Sequence, residues 1–486
     1  MSRALGWALV ALAAAAVPLL TANTYYLYLG MTVAIFVVVA AGLNVLAGLT
    51  GQISLGHAGL YAIGAYAAAL GATRLGLGLT AALPLAIVLT ALVGALLALA
   101  ALRLSGPYLA MVTIAFGIIV EGALIEWVAL TGGPGGVFDI PRPSLLGIAL
   151  PLGRYYWLVA AAAALALLLT RNLARSGWGR ALVAVKDSEL AAESLGLSAY
   201  RLRTAAFTLS AALAGGGGAL FAFLNGYLSP DSFTLQTSIL FLLIVLFGGL
   251  GTLAGPLVGA TALVLLPEVI RQFGEYRLML YGSLLLLSVY FLPRGVVGAF
   301  ARRSPTRPAG DPGEVSRASF GPPAGLPAAG SERVAAARGA AGGESVVLQL
   351  TKVTKAYGGV LAVADVSLAV RAGTIHSVIG PNGAGKTTLV NLVSGFDRPD
   401  AGAIALFGEA LAGRAPSAIA RRGLVRTFQT PQLFEALSVL DNVRVGAAGH
   451  RLGPLTHALA GRRLGDAAAD ERARTALAGG GGALFA

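Results

Sequence analysis

The chain has 486 residues, 56% hydrophobic and only 12% charged, with mean hydropathy +0.78. Soluble domains carry about 25% charged residues, so much of this chain belongs in a bilayer. Cysteine is absent, which excludes disulfides and thiolate chemistry, and the four histidines lack metal-ligand spacing. The formal charge of +13 does not indicate nucleic acid, because many of the arginines and lysines fall in short loops between apolar runs and in one linker.

The first apolar run, Ala4 to Leu20, has the length of a signal peptide. A second run from Tyr25 to Leu46 follows almost at once with no convincing cleavage site, so the first reads as a transmembrane helix. Runs long enough to cross the hydrocarbon, about 20 residues each, recur to residue 293. They predict a polytopic α-helical membrane domain over 1–300, of about ten spans, near 4–21, 27–48, 54–72, 79–101, 107–130, 155–171, 204–224, 236–249, 251–269 and 278–293. An even count puts both termini on one side. Arg103, the segment 171–203, and Arg294, Arg302 and Arg303 share that face, which makes it cytoplasmic.

Two features within the spans are more than apolar filler. "GLNVLAGLTGQISLGHAG" (42–59) interrupts an apolar stretch with glycines and with Asn44, Gln52, Ser54 and His57. Broken backbone at membrane depth is tolerated where protein or a water-filled cavity covers it, so these residues line a substrate pathway or mark a turn with close helix packing. Glu121 and Glu126 follow in the fifth span. An ionisable group there is a functional candidate or a structural, protonated or ion-paired one; Glu126 lies near the outer end and reads as solvated. The loop 179–203, "GRALVAVKDSELAAESLGLSAYRLR", is amphipathic and charged. It suits a soluble partner or an anionic lipid surface.

From 301 to 345 the chain is rich in Pro, Gly, Ala, Ser and Arg without apolar periodicity, a linker composition. Beyond it "VLQLTKVTKAYGGVLAVADVSLAV" alternates as strands do. "GTIHSVIGPNGAGKTTLVNLVSG" then predicts strand, glycine loop and helix, opening a partial nucleotide-binding domain over 346–475. The loop Gly380, Pro381, Asn382, Gly383, Ala384, Gly385, Lys386, Thr387, Thr388 fits G-x-x-x-x-G-K-[ST]. Its backbone N–H groups and helix dipole suit phosphates, Lys386 the β- and γ-phosphates, and the Thr387 hydroxyl Mg²⁺.

Several long motifs in one order carry a family resemblance. "AYGGVLAV", "GPNGAGKTTLVNLVSGF" and "RTFQTPQLFEALSVLDNV" resemble the first half of an ABC-transporter ATPase, and more narrowly those of branched-chain amino-acid importers. "GLNVLAGLTGQISLGHAGLYAIGAY", "GPYLAMVTIAFG", "LTGGPGGV" and "GYLSPDSFTLQTSILFLLIVLFGGLGTLAGPLVGA" are similar to the companion permease. The resemblance covers about 30–300 and 346–446. It implies a truncated α/β P-loop ATPase domain binding ATP and Mg²⁺, with Tyr357 stacking on adenine and Gln429 touching Mg²⁺ and the attacking water. It identifies 187–197 as a coupling loop, with Asp187, Glu189, Ala192, Glu193 and Gly196, and so displaces the lipid-surface reading of that segment. It further implies a bacterial inner-membrane location, with the ATP-binding part cytoplasmic, and as partners a second permease subunit, a second ATPase subunit and a periplasmic substrate-binding protein. Urea or short-amide importers look alike and remain an alternative, as does a permease with a non-hydrolysing nucleotide-binding stub. The chain departs from the family in the fifth span, where Ile118 replaces an expected glutamate and Glu121 lies nearby, so no role is carried over there.

The family's ATPase domain needs about 230 residues, within ordinary domain size, whereas about 140 follow Val346. Within them there is no signature motif, no apolar run ending in Asp-Glu and no switch histidine, since His450 and His457 come too early. Phosphoryl transfer depends on such positioning groups. The expectation is therefore a chain that holds ATP without the parts to hydrolyse it. The closing "ALAGGGGALFA" (476–486) also occurs at 212–222, and this copy suggests a join at a repeated segment.

Overall fold

Some long helices of the N-terminal part turn large apolar residues outward and small ones inward, which is how a helix packs when its outer face meets lipid. The helix Leu79–Ala101 is the clearest case. It buries Ala82, Ala86, Thr90, Gly94 and Ala98 and exposes Val88, Leu92, Leu96 and Leu99. The computed structural model describes residues 23–101, 107–145, 147–269, 277–292, 295–300, 345–448, 451–462 and 466–479. The predicted span at 4–21, nearly all of the linker, Arg103, Arg294, Arg302, Arg303, His450 and residues 480–486 of the repeated tail lie outside them.

The chain forms two compact units. One comprises Met1–Gly179, Tyr200–Gly310 and Thr456–Arg462, the other Arg180–Ala199, Asp311–Leu455 and Arg463–Ala486. In the first, the main helices are α1 (Thr24–Asn44), α2 (His57–Leu75), α3 (Leu79–Ala101), α4 (Pro107–Glu126), α5 (Leu152–Arg175), α6 (Gly177–Asp187, which runs into the second unit), then, beyond α7 (Glu189–Ser194) of the second unit, α8 (Ala199–Asn225), α9 (Leu235–Gly248), α10 (Gly255–Val269) and α11 (Arg277–Phe291). Six helical stretches among the described residues are long and apolar enough to cross a membrane. The count of ten is therefore not confirmed. The predicted third span exists as α2 but falls outside the six, and α10 and α11 each have 15 residues among those described.

Glycine sets the spacing of this unit. A Cβ on Gly218 would lie 2.1 Å from the Tyr61 carbonyl oxygen, one on Gly64 2.3 Å from the Gly215 oxygen, and one on Gly259 1.9 Å from the Ile244 oxygen. Helix backbones thus touch directly, and the glycine run 215–218 of α8 meets α3 at Gly215 and Gly216, α1 at Gly217 and α2 at Gly218.

In the second unit, β1 (Val346–Tyr357) and β2 (Val360–Arg371) form a hairpin whose turn places Gly358 at φ +57°. With β3 (Ala401–Leu406) and β4 (Glu409–Ala410) they make an antiparallel sheet in the order β2-β1-β3-β4. Its core joins Leu350, Val353, Val363, Ile404 and Leu406 to Leu389 and Leu392 of α12 (Lys386–Ser394) and to Ile419 of α13 (Pro416–Ala420). The strand expected before the phosphate loop does not form. Residues 374–380 are irregular, with Ile375 96% and Ile379 90% exposed. A strand exists only with a ladder partner for its N–H and C=O groups, and none of the described residues supplies one.

Gly218→Ala is expected to destabilise the membrane unit by about 1–3 kcal/mol, the range for overpacking. Thermal unfolding of the detergent-solubilised chain measures this, and an unchanged midpoint contradicts the close-contact reading.

Candidate functional site

The phosphate loop takes its shape from two glycines. Gly383 and Gly385 have φ +85° and +79°, and a Cβ on Gly385 would meet the Ala362 carbonyl oxygen at 2.0 Å. Gly385 then starts α12 without a side-chain cap, and the first intrahelical bond runs from Leu389 N–H to the Gly385 carbonyl at 2.9 Å. The N–H groups of Lys386, Thr387 and Thr388 are thereby left without intrahelical acceptors. Lys386 Nζ donates to the carbonyls of Gly380 (2.8 Å) and Pro381 (2.7 Å), so the ammonium lies against the loop. Pro381, Asn382, Ala384 and Thr387 are exposed. Open N–H groups, a helix N-terminus and a lysine come together in one exposed loop, which suits an anion such as a nucleotide phosphate chain.

Tyr357, 46% exposed at the end of β1, sits beside this loop. Its hydroxyl donates to Asp397 and also interacts with Thr388. The Lys355 ammonium lies 5.3 Å from the ring centroid and 2.9 Å from Asp400 Oδ1, and Asp400 Oδ2 accepts the Ala356 N–H at 2.8 Å. The hydrogen bond from Tyr357 holds the Asp397 carboxyl below its usual range. The Ala356 N–H and Lys355 do the same for Asp400, whose hydrogen bond raises Lys355 in turn. The structure thus joins Tyr357 to the phosphate loop through Thr388. Gln429 is exposed on the irregular segment after α13 and makes no hydrogen bond among the described residues, so no contact joins it to Thr387.

Arg426, three residues before Gln429, ties that segment to the phosphate helix. Its guanidinium lies 5.5 Å from the Phe396 ring and 5.1 Å from the Phe428 ring, and it donates to Asn391 of α12. Arg426, Asp397 and Asp400 were not singled out from sequence. All three stood inside or beside the quoted motifs, but only tertiary contact reveals their roles.

The predicted coupling loop belongs to the same unit. Ser188 caps α7 by accepting the Ala191 N–H, and Gly196 ends it at φ +88°. Arg421, at the end of α13, donates to the Gly196 carbonyl at 2.9 Å. Asp187 Oδ2 accepts the Ala436 N–H at 2.9 Å, and Ser188 Oγ reaches Gln432 at 3.3 Å. Ala192 is fully buried, whereas Glu189 is exposed and Glu193 half-buried. The segment 187–197 therefore rests on the residues between Arg421 and Ala436, which include Gln429. Asp187 and Gly196 make contact through named hydrogen bonds, Ala192 through its burial.

The polar residues of the membrane break are buried and internally bonded. Helix α1 runs on as a π turn, Val45–Leu49, a widening associated with functional bends. Asn44 Nδ2 donates to the Thr252 carbonyl (2.9 Å) and its Oδ1 accepts the Gly251 N–H (2.8 Å). Gln52 Oε1 accepts from Thr50 at 3.1 Å. His57 bridges Ser54 Oγ (2.9 Å) and Ser210 Oγ of α8 (2.7 Å). Four of the pathway candidates thus hold the break in place. Glu121 is different: it is partly exposed on α4, far from that network in sequence, and forms no ion pair or hydrogen bond among the described residues.

The fold and these sites define a polytopic membrane transport component carrying a phosphate-loop nucleotide-binding module. Residues 25–289 match the family described as branched-chain amino acid transport system / permease component, and residues 363–483 match the ABC transporter family. The chain is 39% identical over 287 residues to the high-affinity branched-chain amino acid transport system permease protein LivM of Salmonella typhimurium, covering 54% of this chain and 68% of that protein. It is 40% identical over 118 residues to the probable branched-chain amino acid transport ATP-binding protein LivG of Archaeoglobus fulgidus, covering 24% and 46% of the two chains. Against the high-affinity branched-chain amino acid transport ATP-binding protein BraF of Pseudomonas aeruginosa it is 43% identical over 104 residues, covering 21% and 41%. The chain belongs to the branched-chain amino acid transport system permease family. It spans less than half the length of the two ATP-binding relatives.

Two outcomes follow from the nucleotide module. Asp397→Asn is expected to weaken binding of a fluorescent ATP analogue about five-fold at pH 7, the worth of one hydrogen bond. Because the Asp397 and Asp400 carboxyls are held low, their contacts are complete at neutral pH and are lost as pH falls through those lowered values, below about 4. A titration of analogue affinity should be flat from neutral to mildly acid pH and fall only beneath that range; a loss centred near neutrality contradicts it.

Proposed function

We propose that the chain is the permease component of an ATP-driven importer that moves branched-chain amino acids across a bacterial inner membrane. The observation that carries this reading is the family match across 25–289, with a coupling segment inside it that rests on the phosphate-loop module. The printed names of the relatives concern branched-chain amino acids and favour these over urea or short amides.

Gly380 to Thr388 would hold the phosphates of ATP, Lys386 would neutralise their charge, and Tyr357 would offer its ring to adenine. Thr387 and Gln429 would contact Mg²⁺, which screens phosphate charge when bound. The N–H groups at the start of α12 and the two left-handed glycines support this fit. Arg421 and Asp187 would carry movement of the Gln429 segment to 187–197.

The assembled importer would add a second permease subunit, a second ATP-binding subunit and a periplasmic substrate-binding protein, within membrane lipid. Helix α4 supports the permease partner: it is the least buried of the six long apolar stretches, and it carries Glu121. A carboxylate facing lipid is costly, so that face suits protein or an aqueous path. The 171–203 basic segment supports a cytoplasmic phosphate module and cytoplasmic termini.

Uptake of labelled leucine by cells expressing the chain with its companion subunits tests the reading. Lys386→Ala should lower uptake at least about tenfold, since the lysine charge is lost from the phosphate site. Arg421→Ala should lower uptake while leaving ATP-analogue affinity unchanged. Transport of urea in place of leucine contradicts the assignment.

A further inference from the structure

A short piece of the nucleotide-binding half belongs to the membrane unit. Residues 363–483 match the ABC transporter family, yet Thr456–Arg462 within them group with the membrane helices. Between α14 (Val439–Ala448) and α16 (Asp466–Gly479), these residues make up most of one tight turn, α15 (Leu455–Leu459), and its exit. The N–H groups of Ala460, Gly461 and Arg462 close it on the carbonyls of Thr456 (2.9 Å), Ala458 (3.1 Å) and His457 (2.9 Å). Ala458 is buried and His457 Nδ1 is shielded from solvent, so one face of the turn is covered.

Its seat is the last turn of α5. The Leu459 carbonyl, left open where α15 ends, accepts from Asn172 Nδ2 at 2.9 Å. Gly461 turns the chain away at φ +75°, and a Cβ there would stand 3.1 Å from Asn172 Nδ2. Bare backbone is therefore pressed onto one side chain. The seat itself is stiff. Ser176 Oγ donates to the Leu173 carbonyl (2.7 Å) and accepts the Gly179 N–H (3.4 Å), while a Cβ on Gly179 would meet the Ala174 carbonyl oxygen at 2.4 Å. Just beyond this corner, Arg180 of α6 lies 3.9 Å from Asp441 of α14. Arg444 bridges Asp441 (2.9 Å) and Asp470 of α16, so the base of the loop is pinned as its tip is.

We propose that the corner from α5 into α6 is a second docking surface for the ATP-binding part of the importer, separate from 187–197, with Asn172 its positioning residue. The proposal rests on the importer reading given above and adds a site to it. Helix α6 supplies the reason for two contacts. Asn172 stands just before it, Arg180 near its start and Asp187 at its end, and each is bonded to a residue between 436 and 459. A contact at one end alone passes on a push, whereas contacts at both ends also pass on a tilt. Packed and hydrogen-bonded elements of this kind are what carry coupling between sites.

Photo-cross-linking and transport coupling test this in the full chain with its companion subunits. Benzoylphenylalanine in place of the exposed Ala460 should form adducts within residues 168–176, mapped by mass spectrometry. Asn172→Asp keeps the shape and removes the donor. It should lower the leucine taken up per ATP hydrolysed about five-fold, the worth of one hydrogen bond, and leave ATP-analogue affinity unchanged. Gly461→Ala disturbs the same contact from the other side, so it should act alike, and the double variant should be no worse than either. Adducts confined to other segments overturn the seat, a result that stands even where a variant fails to fold. Adducts on α5 with unaltered coupling in both variants, or losses that multiply in the double variant, overturn the coupling role. Absence of leucine uptake in the unaltered importer removes the importer reading itself, whereas uptake that neither substitution affects removes only this contact.

Discussion

Within a bilayer no water is available to satisfy a stray N–H, C=O or hydroxyl, and this requirement governs the membrane unit. The chain breaks between Leu49 and His57, where it would otherwise expose unpaired backbone. Asn44 answers by bonding the turn at 251–252, Thr113 accepts the Leu55 N–H, and Ser238 accepts the Ala58 N–H. Each of these partners comes from a different part of the fold, so the break is held only by the assembled unit. Glycine serves the same end by another route. With no Cβ at 64, 218 and 259, helices approach closely enough for dispersion to replace the hydrophobic drive that lipid cannot supply.

The nucleotide module obeys the opposite regime. Its loop must leave N–H groups open, and α12 does so because Gly385 offers no capping side chain. Order is imposed from the flanks: Asp397 and Asp400 fix the Tyr357 side, and Arg426 fixes the Gln429 side through Asn391 and two phenylalanine rings. Arg421 then joins the adjacent turn to the Gly196 carbonyl of the coupling segment. A continuous chain of packed, hydrogen-bonded groups therefore runs from the phosphate helix to residue 196, the kind of connection along which two discrete arrangements can be coupled.

Local signals were legible in the sequence because they are local in the fold. The glycine-lysine loop becomes an open helix start, and Gly196, named within the coupling segment, closes a short helix at positive φ. What the sequence did not disclose depends on distant partners. His57 read as a pathway candidate, yet its nearest polar neighbour across the unit, Ser210, is 153 residues away. Segment 374–380 has strand composition but no ladder partner, so propensity did not decide its state. Apolar length alone likewise counted α10 and α11 as spans, a count that the 15 described residues of each do not confirm.

The central claim is that the segment 187–197 of the permease is held by the phosphate-loop module of the same chain. The absence of native cysteine permits a direct measurement: Asp187→Cys paired with Ala436→Cys, oxidised in membranes and analysed for an intrachain disulfide. The account predicts efficient cross-linking that stops leucine uptake and is reversed by reductant. Failure of this pair to cross-link, with uptake and ATP-analogue binding both intact, would contradict it.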